Sequence, residues 1–336
     1  MPRTGSKQRK KKHQRRPTWH YVTATCLGLL FLLCFLLFLA APDRFPKLPH
    51  LSLDTIFEAH ASPAPVQTDT EDPTSSKTLE VYVLDVGQGD CIFLLSPDGR
   101  TMLIDTGEAQ YYSVIESFLK NKGIEKLDVV IATHPHNDHI GSMDRVIENY
   151  DIGKFYMPEI AHTTETYNNM LSALREKGIT PRTVYGSKKA QLSWGDDDVT
   201  IRFLSPFEAA EYDSINDESI VLRVEYGKTS VLLTGDSETY AESVMLANLP
   251  EEDLAATVLK LGHHGASTST SEVFLKAVSP QIAVVSAGAD NDYGHPHEET
   301  LALLQKYGIP LYRTDENGTI RIVLDGKTAK VFVEKE

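Results

Sequence analysis

The sequence predicts a mixed α/β fold, with two β-sheets lying between helices, that follows an N-terminal transmembrane helix. From Leu79 onward, short β-branched apolar segments alternate with segments whose apolar residues recur at helical spacing. Gly- and Pro-containing turns join some of these segments as hairpins and helices join others as crossovers, which favours sheets packed between helices. Before Leu79, residues 21–41 are almost uninterrupted apolar sequence.

The first segment of the chain is strongly basic. Eight of the 33 Lys and Arg residues lie within residues 1–16, which contain no acid. We therefore expect residues 1–20 to be a cytoplasmic tail and residues 21–41 a single anchor, long enough to cross a hydrocarbon core of about 30 Å. The rest of the chain would then be extracellular, at the cell membrane. A cleaved signal peptide is the competing interpretation, although its apolar region would usually be only about 7–15 residues long.

The remainder of the chain is acidic. Residues 17–336 contain the other 25 basic residues and all 47 acidic ones, which gives them a formal net charge of −22. This charge repels polyanions and disfavours long nucleic acid as a partner. Residues 42–78 are rich in Pro, Ser and Thr, which predicts a tether. Residues 79–336 are predicted to form one folded domain. The three cysteines imply no disulfide framework, and Cys91 is expected to be a buried strand residue.

The pattern within the domain predicts the following elements. The strands are Glu80 to Leu84, Cys91 to Leu95, Thr101 to Ile104, Leu127 to Ala132, Phe155 to Met157, Val199 to Leu204, Ser219 to Glu225, Ser230 to Leu233, Thr257 to Leu261, Ile282 to Ser286 and three runs ending at Val333. The helices are Tyr112 to Lys122, Gly141 to Asn149, Glu165 to Lys177, Glu238 to Asn248, Ser271 to Val278 and Pro296 to Tyr307.

The densest group of chemically active residues follows the strand that ends at Ala132. His134, His136, Asp138 and His139 fall within six residues. One turn cannot direct all four side chains at one point, so His134 and His136 should serve one metal ion, and Asp138 and His139 a neighbouring one. Imidazole nitrogen and carboxylate oxygen are ligands of zinc in open sites that keep a water molecule.

Three further segments place ligand-type residues next to element ends. Asp236 follows an apolar strand, His263 and His264 follow another, and His295 precedes a helix. Taken singly, Asp236 could cap a helix and His295 could be a helix-entry residue. Taken together with the His-rich stretch, they predict a metal site built from four segments.

These motifs resemble those of the metallo-β-lactamase-fold hydrolases. The shared motifs are the stretch from His134 to His139, Thr234-Gly235-Asp236 and His263-His264-Gly265. A closer resemblance, to the extracellular nuclease-type domain of the competence protein ComEC and its stand-alone relatives, rests on Leu84 to Asp90, Leu103 to Gly107 and Gly294-His295-Pro296. The resemblance covers about Leu79 to Val333 and implies an αββα sandwich that binds two divalent metal ions, Zn²⁺ or Mn²⁺.

The resemblance also implies individual roles. His134 and His136 match the ligands of one metal, Asp138 and His139 those of the other, and Asp236 the carboxylate that bridges them. One of His263 and His264 should complete the second metal's ligands while the other faces the substrate. The implied catalytic residues are Asp138, His264 and His295, with His295 as a phosphate contact or general acid. Asp105 should orient a ligand histidine, and Asp85, Gln88 and Asp90 should lie at the pocket rim.

The chain departs from the family pattern at one position. Many members have another ligand histidine before the bridging carboxylate, where this chain has Asn216 and its neighbours. One metal should therefore bind more weakly or keep an extra open position.

The implied chemistry is hydrolysis. Two cations about 3.5–4 Å apart activate water and stabilise both oxygens of a displacement. We expect an enzyme acting on a phosphoester or phosphodiester, as a nuclease in the ComEC manner. One alternative is a phosphorylcholine esterase of cell-wall polymers, with Tyr111, Tyr112 and Tyr293 as a wall for the cationic headgroup. The other is a non-catalytic surface module with a structural metal, which fits poorly because such sites are closed and often Cys-rich.

Overall fold

The computed structural model describes residues 77–195 and 198–335. The predicted tail, the predicted anchor and nearly all of the tether lie outside these residues. Among the helices of the described part, none combines the length and apolarity needed to cross a membrane.

The described residues form a regular succession of strands and helices. The strands are β1 (Leu79–Val83), β2 (Ile92–Leu95), β3 (Thr101–Ile104), β4 (Lys126–Ile131), β5 (Asp151–Met157), β6 (Arg182–Thr183), β7 (Gln191–Leu192), β8 (Val199–Ser205), β9 (Val221–Tyr226), β10 (Thr229–Leu233), β11 (Val258–Lys260), β12 (Ile282–Val285), β13 (Leu311–Arg313), β14 (Ile320–Leu324) and β15 (Ala329–Val333). The α-helices are α1 (Tyr112–Asn121), α2 (Asn137–Ile140), α3 (Met143–Asn149), α4 (Glu165–Glu176), α5 (Thr239–Asn248), α6 (Glu251–Leu254), α7 (Glu272–Val278), α8 (Glu298–Tyr307) and α9 (Thr314–Asn317).

The strands form two mixed sheets. The larger has the order β15-β14-β1-β2-β3-β4-β5-β6 and the smaller the order β13-β12-β11-β10-β9-β8-β7. Hairpin neighbours such as β1 and β2 are antiparallel, whereas β3, β4 and β5 are parallel. In the smaller sheet β10 to β13 are parallel. The parallel strands of each sheet therefore end at one common edge.

Three hydrophobic clusters show that the sheets are stacked between helices. The central cluster contains Val81 and Ile131 from the larger sheet and Val224 and Val284 from the smaller one. A second cluster joins the outer face of the larger sheet to α1, α3 and α4, and a third joins the outer face of the smaller sheet to α5 and α7. This layering is the predicted αββα sandwich.

Alternation along the strands produces these layers. In β3, Met102 and Ile104 belong to the central cluster, while Leu103 between them belongs to the outer cluster. Successive side chains of a strand point to opposite faces, so an apolar run can serve both. The strands buried on both faces therefore read as continuous apolar segments.

All predicted strands and helices of the domain correspond to described elements, with boundaries that differ by a few residues. Unpredicted elements are short, among them β6, β7, α2, α6 and α9. Segments of two to four residues are too brief for a hydrophobic period to be recognised. Cys91 is fully buried just before β2, and burial raises the pKa of its thiol well above the usual value, which makes the thiol unreactive.

Candidate metal centre

Strand ends from both sheets bring the predicted site residues together. Asp105 follows β3, the stretch from His134 to His139 follows β4, Asp236 follows β10, and His263-His264 follows β11. Because the parallel strands of each sheet end at one edge, these loops meet at one end of the sandwich.

Asp138, His139, Asp236 and His264 form the tighter of two ligand groups. Their donor atoms all lie within 4.8 Å of one another. Nε2 of His139 lies 3.2 Å from Oδ2 of Asp236, and Nε2 of His264 lies 3.5 Å from Oδ1 of the same carboxylate. Nε2 of His264 is also 3.4 Å from Oδ2 of Asp138. The four side chains therefore surround a single point.

His134 and His136 form the second group, which lies next to the first, with the ring centroids of His134 and His139 4.1 Å apart. Nε2 of His134 lies 3.0 Å from Nδ1 of His136 and 3.7 Å from Oδ2 of Asp236. Asp236 is thus shared between the two groups. This arrangement agrees with the division of the His-rich stretch expected from the sequence.

The structure distinguishes between the two adjacent histidines. His264 is buried, and its Nδ1 donates to the carbonyl of Ser286 at 3.1 Å, so Nε2 carries the lone pair that faces Asp138 and Asp236. His264 therefore completes the tighter group. Since Nδ1 is taken by that carbonyl, Nε2 is the nitrogen that remains, and its position between the two carboxylates fits a metal ligand.

Unpartnered buried atoms test whether the site fits a metal. Within the described part of the chain, Nε2 of His139, Nε2 of His264, Oδ1 of Asp236 and Oδ1 of Asn216 are buried without a hydrogen-bond partner. Buried polar atoms are normally satisfied, and several converging orphans therefore need a ligand. Nitrogen and oxygen donors of this kind suit divalent cations such as Zn²⁺ or Mn²⁺. The residues present fit a divalent metal site.

Asp105 lies behind this group, as the resemblance implied. Its Oδ2 accepts from Nδ1 of His139 at 2.8 Å and from the hydroxyl of Thr133 at 2.6 Å, while its Oδ1 accepts from the Thr133 amide at 2.8 Å. The first contact places the proton of His139 on Nδ1 and leaves Nε2 free to bind. A carboxylate behind a ligand histidine fixes its tautomer and orientation in this way.

Burial and mutual charge set the protonation of the site. Burial lowers the pKa of both His134 and His136, which favours the neutral form that binds metal. Burial would lower the pKa of His139 and His264, but in the metal-free site the charge of Asp236 outweighs burial and raises both. Burial alone would raise the pKa of Asp236, and these two imidazoles, when protonated, hold it well below the usual value. The bridging carboxylate is therefore ionised.

A cavity of about 420 Å³ opens onto the cluster. It is lined by Gln88, Pro135, His136, Asn137, Asp138, His162, Thr164, Asn216, Asp236, His263, His264, Tyr293 and His295. Among the predicted rim residues, Gln88 and Asn216 do lie there. Gln88 contacts Nδ1 of His295 at 3.4 Å.

Two residues expected at the rim lie elsewhere. Oδ2 of Asp85 lies 3.4 Å from Nζ of Lys335, a residue that follows β15, and Asp85 does not line the cavity. Asp90 is buried and lies 3.0 Å from Nζ of the buried Lys260. Its position is explained by the backbone, since Asp90 N donates to the Asp138 carbonyl and turns the loop inward. Asp90 is a buried partner of Lys260 behind the site.

His295 lies at the cavity, but its charge state argues against one predicted role. Burial and the neighbouring imidazoles lower the pKa of His295 to about 4. At neutral pH the side chain is uncharged and is a poor general acid. A hydrogen-bonding contact to substrate remains compatible with its position.

The position of the missing ligand histidine holds residues with other functions. Asp217 caps α5 by accepting from the amides of Glu238 and Ala241. Ser219 lies 3.3 Å from Nδ1 of His134 and accepts from the Asp236 amide. Only Asn216 of this segment reaches the cavity, 3.5 Å from Nε2 of His263.

Three residues at or next to the site were not predicted from the sequence: His162, Glu238 and Lys260. His162 lines the cavity next to His136, with ring centroids 6.3 Å apart. Glu238 contacts His263, and Lys260 pairs with Asp90. His162 and Glu238 lie outside the segments that carry the recognisable motifs. Lys260 does precede the His263-His264 pair, but a lysine in an apolar strand gives no indication of its partner.

Comparison with known proteins identifies the family. The model of the metallo-beta-lactamase superfamily matches residues 84–289. ComE operon protein 3 of Bacillus subtilis (strain 168) is 36% identical over 266 residues, which cover 74% of this chain and 33% of the relative. Competence protein ComA of Neisseria gonorrhoeae is 35% identical, covering 73% of this chain and 32% of the relative. Recombination protein 2 of Haemophilus influenzae is 31% identical, covering 74% of this chain and 29% of the relative.

The chain spans about a third of the length of these relatives. The matched region contains both ligand groups and the residues that line the cavity, except Tyr293 and His295. The fold, the shared carboxylate and the matched sequence lead to one conclusion: the chain belongs to the metallo-beta-lactamase superfamily of hydrolases and is homologous to part of the competence proteins.

Proposed function

We propose that this chain is a metal-dependent hydrolase of phosphoester or phosphodiester bonds. The observation that carries the proposal is the pair of ligand groups that share Asp236 and open onto one cavity. An open, donor-rich site next to a cavity is the arrangement of a catalytic centre. The same openness counts against a non-catalytic module with a structural metal.

The residues divide the chemical work among themselves. Two divalent cations, when bound, would activate water and neutralise charge developing on the reacting group. Asp236 would hold both groups together, Asp105 would keep His139 in its binding tautomer, and Asp138 would face the cavity with its carboxylate ionised. His295 and His162, which both line the cavity, would contact the substrate.

The cavity wall favours a phosphate group of modest size. Among the described residues that line it there is no Lys or Arg, so the only cationic partners of a phosphate would be the metals. The acidic body adds a general repulsion of long polyanions. The similarity to competence proteins supports a nuclease, and short or single-stranded substrates would satisfy both observations.

A phosphorylcholine ester is the second candidate. Tyr293 is 67% exposed at the cavity and stacks on His295 with an interplanar angle of 20°. An exposed aromatic face without a neighbouring cation would accept a quaternary ammonium group. Tyr111 and Tyr112 do not line the cavity, because Tyr111 packs near Gly87 and Tyr112 faces Arg145. Only Tyr293 of the three predicted tyrosines supports this candidate.

The test is a hydrolysis screen of the purified chain with Zn²⁺ or Mn²⁺. The substrates are bis-p-nitrophenyl phosphate, p-nitrophenyl phosphorylcholine, single-stranded DNA and a β-lactam. Turnover of either of the first two, lost with chelator and restored by metal, supports the proposal, and the preferred one separates the two candidates. Turnover of the β-lactam alone would contradict it.

A further inference from the structure

The two ligand groups contain unequal numbers of protein donors. The tighter group has Asp138, His139 and His264 besides the shared Asp236. The other has only His134 and His136 besides Asp236. Zinc in proteins usually takes four donors, or three and a water molecule, so the second group has room for one more protein ligand.

His263 lies at the correct place to fill that position. Its Nε2 is 3.9 Å from Oδ2 of Asp236. That oxygen lies between the two groups, since it also faces Nε2 of His134 at 3.7 Å and Nε2 of His139 at 3.2 Å. Two donors that each lie about 2.1 Å from one zinc ion can be at most about 4.2 Å apart. The measured separation therefore permits a shared cation without movement of the backbone.

The tautomer of His263 is fixed from both sides. Its Nδ1 lies 3.1 Å from Oε1 of Glu238, a carboxylate that can only accept, so Nδ1 carries the proton. On the other side the amide nitrogen of Asn216, which can only donate, lies 3.5 Å from Nε2. Nε2 therefore presents a lone pair to the site, which suits a metal ligand and does not suit donation to a phosphate.

Glu238 is itself held in place. Its Oε1 accepts from the hydroxyl of Thr268 at 2.7 Å, and its amide donates to Oδ1 of Asp217 at 2.9 Å. A carboxylate behind an imidazole is the arrangement that orients ligand histidines and raises their basicity. Asp105 bears the same relation to His139 in the tighter group.

The backbone at His263 is strained in a way that serves both groups. His263 has φ 48° and His264 φ 54°, so two consecutive non-glycine residues adopt the left-handed conformation. Such strain persists where the surroundings determine it, and it concentrates at functional sites. The result is that two adjacent imidazoles approach different oxygens of Asp236, His264 at Oδ1 and His263 at Oδ2.

We propose that His263 is the additional protein ligand of the His134–His136 group and that Glu238 is its positioning residue. The inference rests on the proposed metal-dependent function but concerns metal binding, which can be measured without a substrate. The weaker site, which is the His134–His136 group with fewer protein donors, would thus take His263 as a ligand. His263 comes from the same turn as His264, which belongs to the tighter group.

The test is a titration of the metal-free full-length chain with Co²⁺. Visible absorption reports the binding of each ion, and chelator competition gives the affinities. The wild-type chain should bind two ions, and His263→Gly should lose affinity and absorption intensity at the weaker site only. Glycine suits the left-handed backbone, so this variant should fold. Glu238→Ala should weaken the same site by about 10- to 100-fold, and Glu238→Gln, which keeps an acceptor oxygen, by less. Asp85→Ala, which changes a residue outside the cavity, is the control and should leave both ions in place.

Three results would overturn the inference. His263→Gly with unchanged affinity and spectrum but a raised KM would make His263 a substrate contact. If His263→Gly lost the tighter site and kept the weaker one, His263 would be a ligand of the tighter group and not of the His134–His136 group. A wild-type chain that binds no Co²⁺ would overturn the inference together with the proposed function, whereas the first two results leave that function intact.

Discussion

Nε2 of His139 lies 3.2 Å from Oδ2 of Asp236, with both side chains buried. This contact joins the His-rich stretch after β4, in the larger sheet, to the loop after β10, in the smaller one. Because Asp236 also faces His134, His263 and His264, it is the common neighbour of both ligand groups. The consequences of this arrangement can be measured.

Asp236→Ala should abolish turnover and lower metal content more than Asp138→Ala does, because a shared carboxylate serves both groups. Metal analysis after dialysis against a mild chelator and turnover at saturating metal would measure both effects. Asp85→Ala, which removes a carboxylate outside the cavity, is the matched control and should behave as wild type. An Asp236→Ala chain that kept more than about a tenth of the wild-type rate would contradict the bridging role.

Asp105→Asn should weaken the tighter metal site, by less than the roughly 10- to 100-fold expected when the whole carboxylate is removed, because the charge that orients His139 is lost but an acceptor oxygen is kept. Chelator competition would give the affinity, and circular dichroism would show whether the fold is retained. An unchanged affinity in a folded Asp105→Asn chain would mean that His139 is held by its surroundings without the help of Asp105.

His295 should not contribute an inflection to the pH–rate profile between pH 6 and 8. Because its pKa is about 4, the protonated form predominates only below that pH, and the side chain is almost entirely neutral between pH 6 and 8. His295→Asn should lower the rate while keeping the shape of the profile. If the variant lost a limb of the profile in this range, His295 would be an ionising catalytic group after all.

Lys260→Met should destabilise the fold by about 3–5 kcal/mol, because the buried Asp90 would lose its charged partner. Denaturant unfolding of the metal-free chain would measure the loss. The double variant with Asp90→Asn should recover part of it, since no unpaired charge would remain. Equal stability of wild type and Lys260→Met would show that the pair contributes nothing to the fold.

Protease added to intact cells should digest the domain and leave a small membrane-bound N-terminal fragment. We propose this topology because residues 1–20 carry eight cations and no acid and precede the apolar residues 21–41. A domain fully protected from the protease, or one released into the medium with a new N-terminus near residue 62, would contradict the anchored, extracellular location.

The sequence by itself predicted the mixed α/β fold with two sheets and most of the residues that meet at the candidate metal centre. Strand and helix periods are local properties, so the elements around the site could be read directly. His134, His136, Asp138 and His139 were also predicted to divide between two groups, because neighbouring side chains in one turn diverge, and the distances agree with that prediction. Asp236 was identifiable because a carboxylate directly follows an apolar strand and precedes a helix.

Only the tertiary structure decided between residues that the sequence treats alike. His263 and His264 are adjacent and chemically identical, and their different partners, Glu238 and the Ser286 carbonyl, come from other segments. Asp85 and Asp90 share one motif, yet one faces Lys335 and the other the buried Lys260. A side chain's role at a site depends on the contacts made by distant parts of the chain, and local pattern carries no record of them.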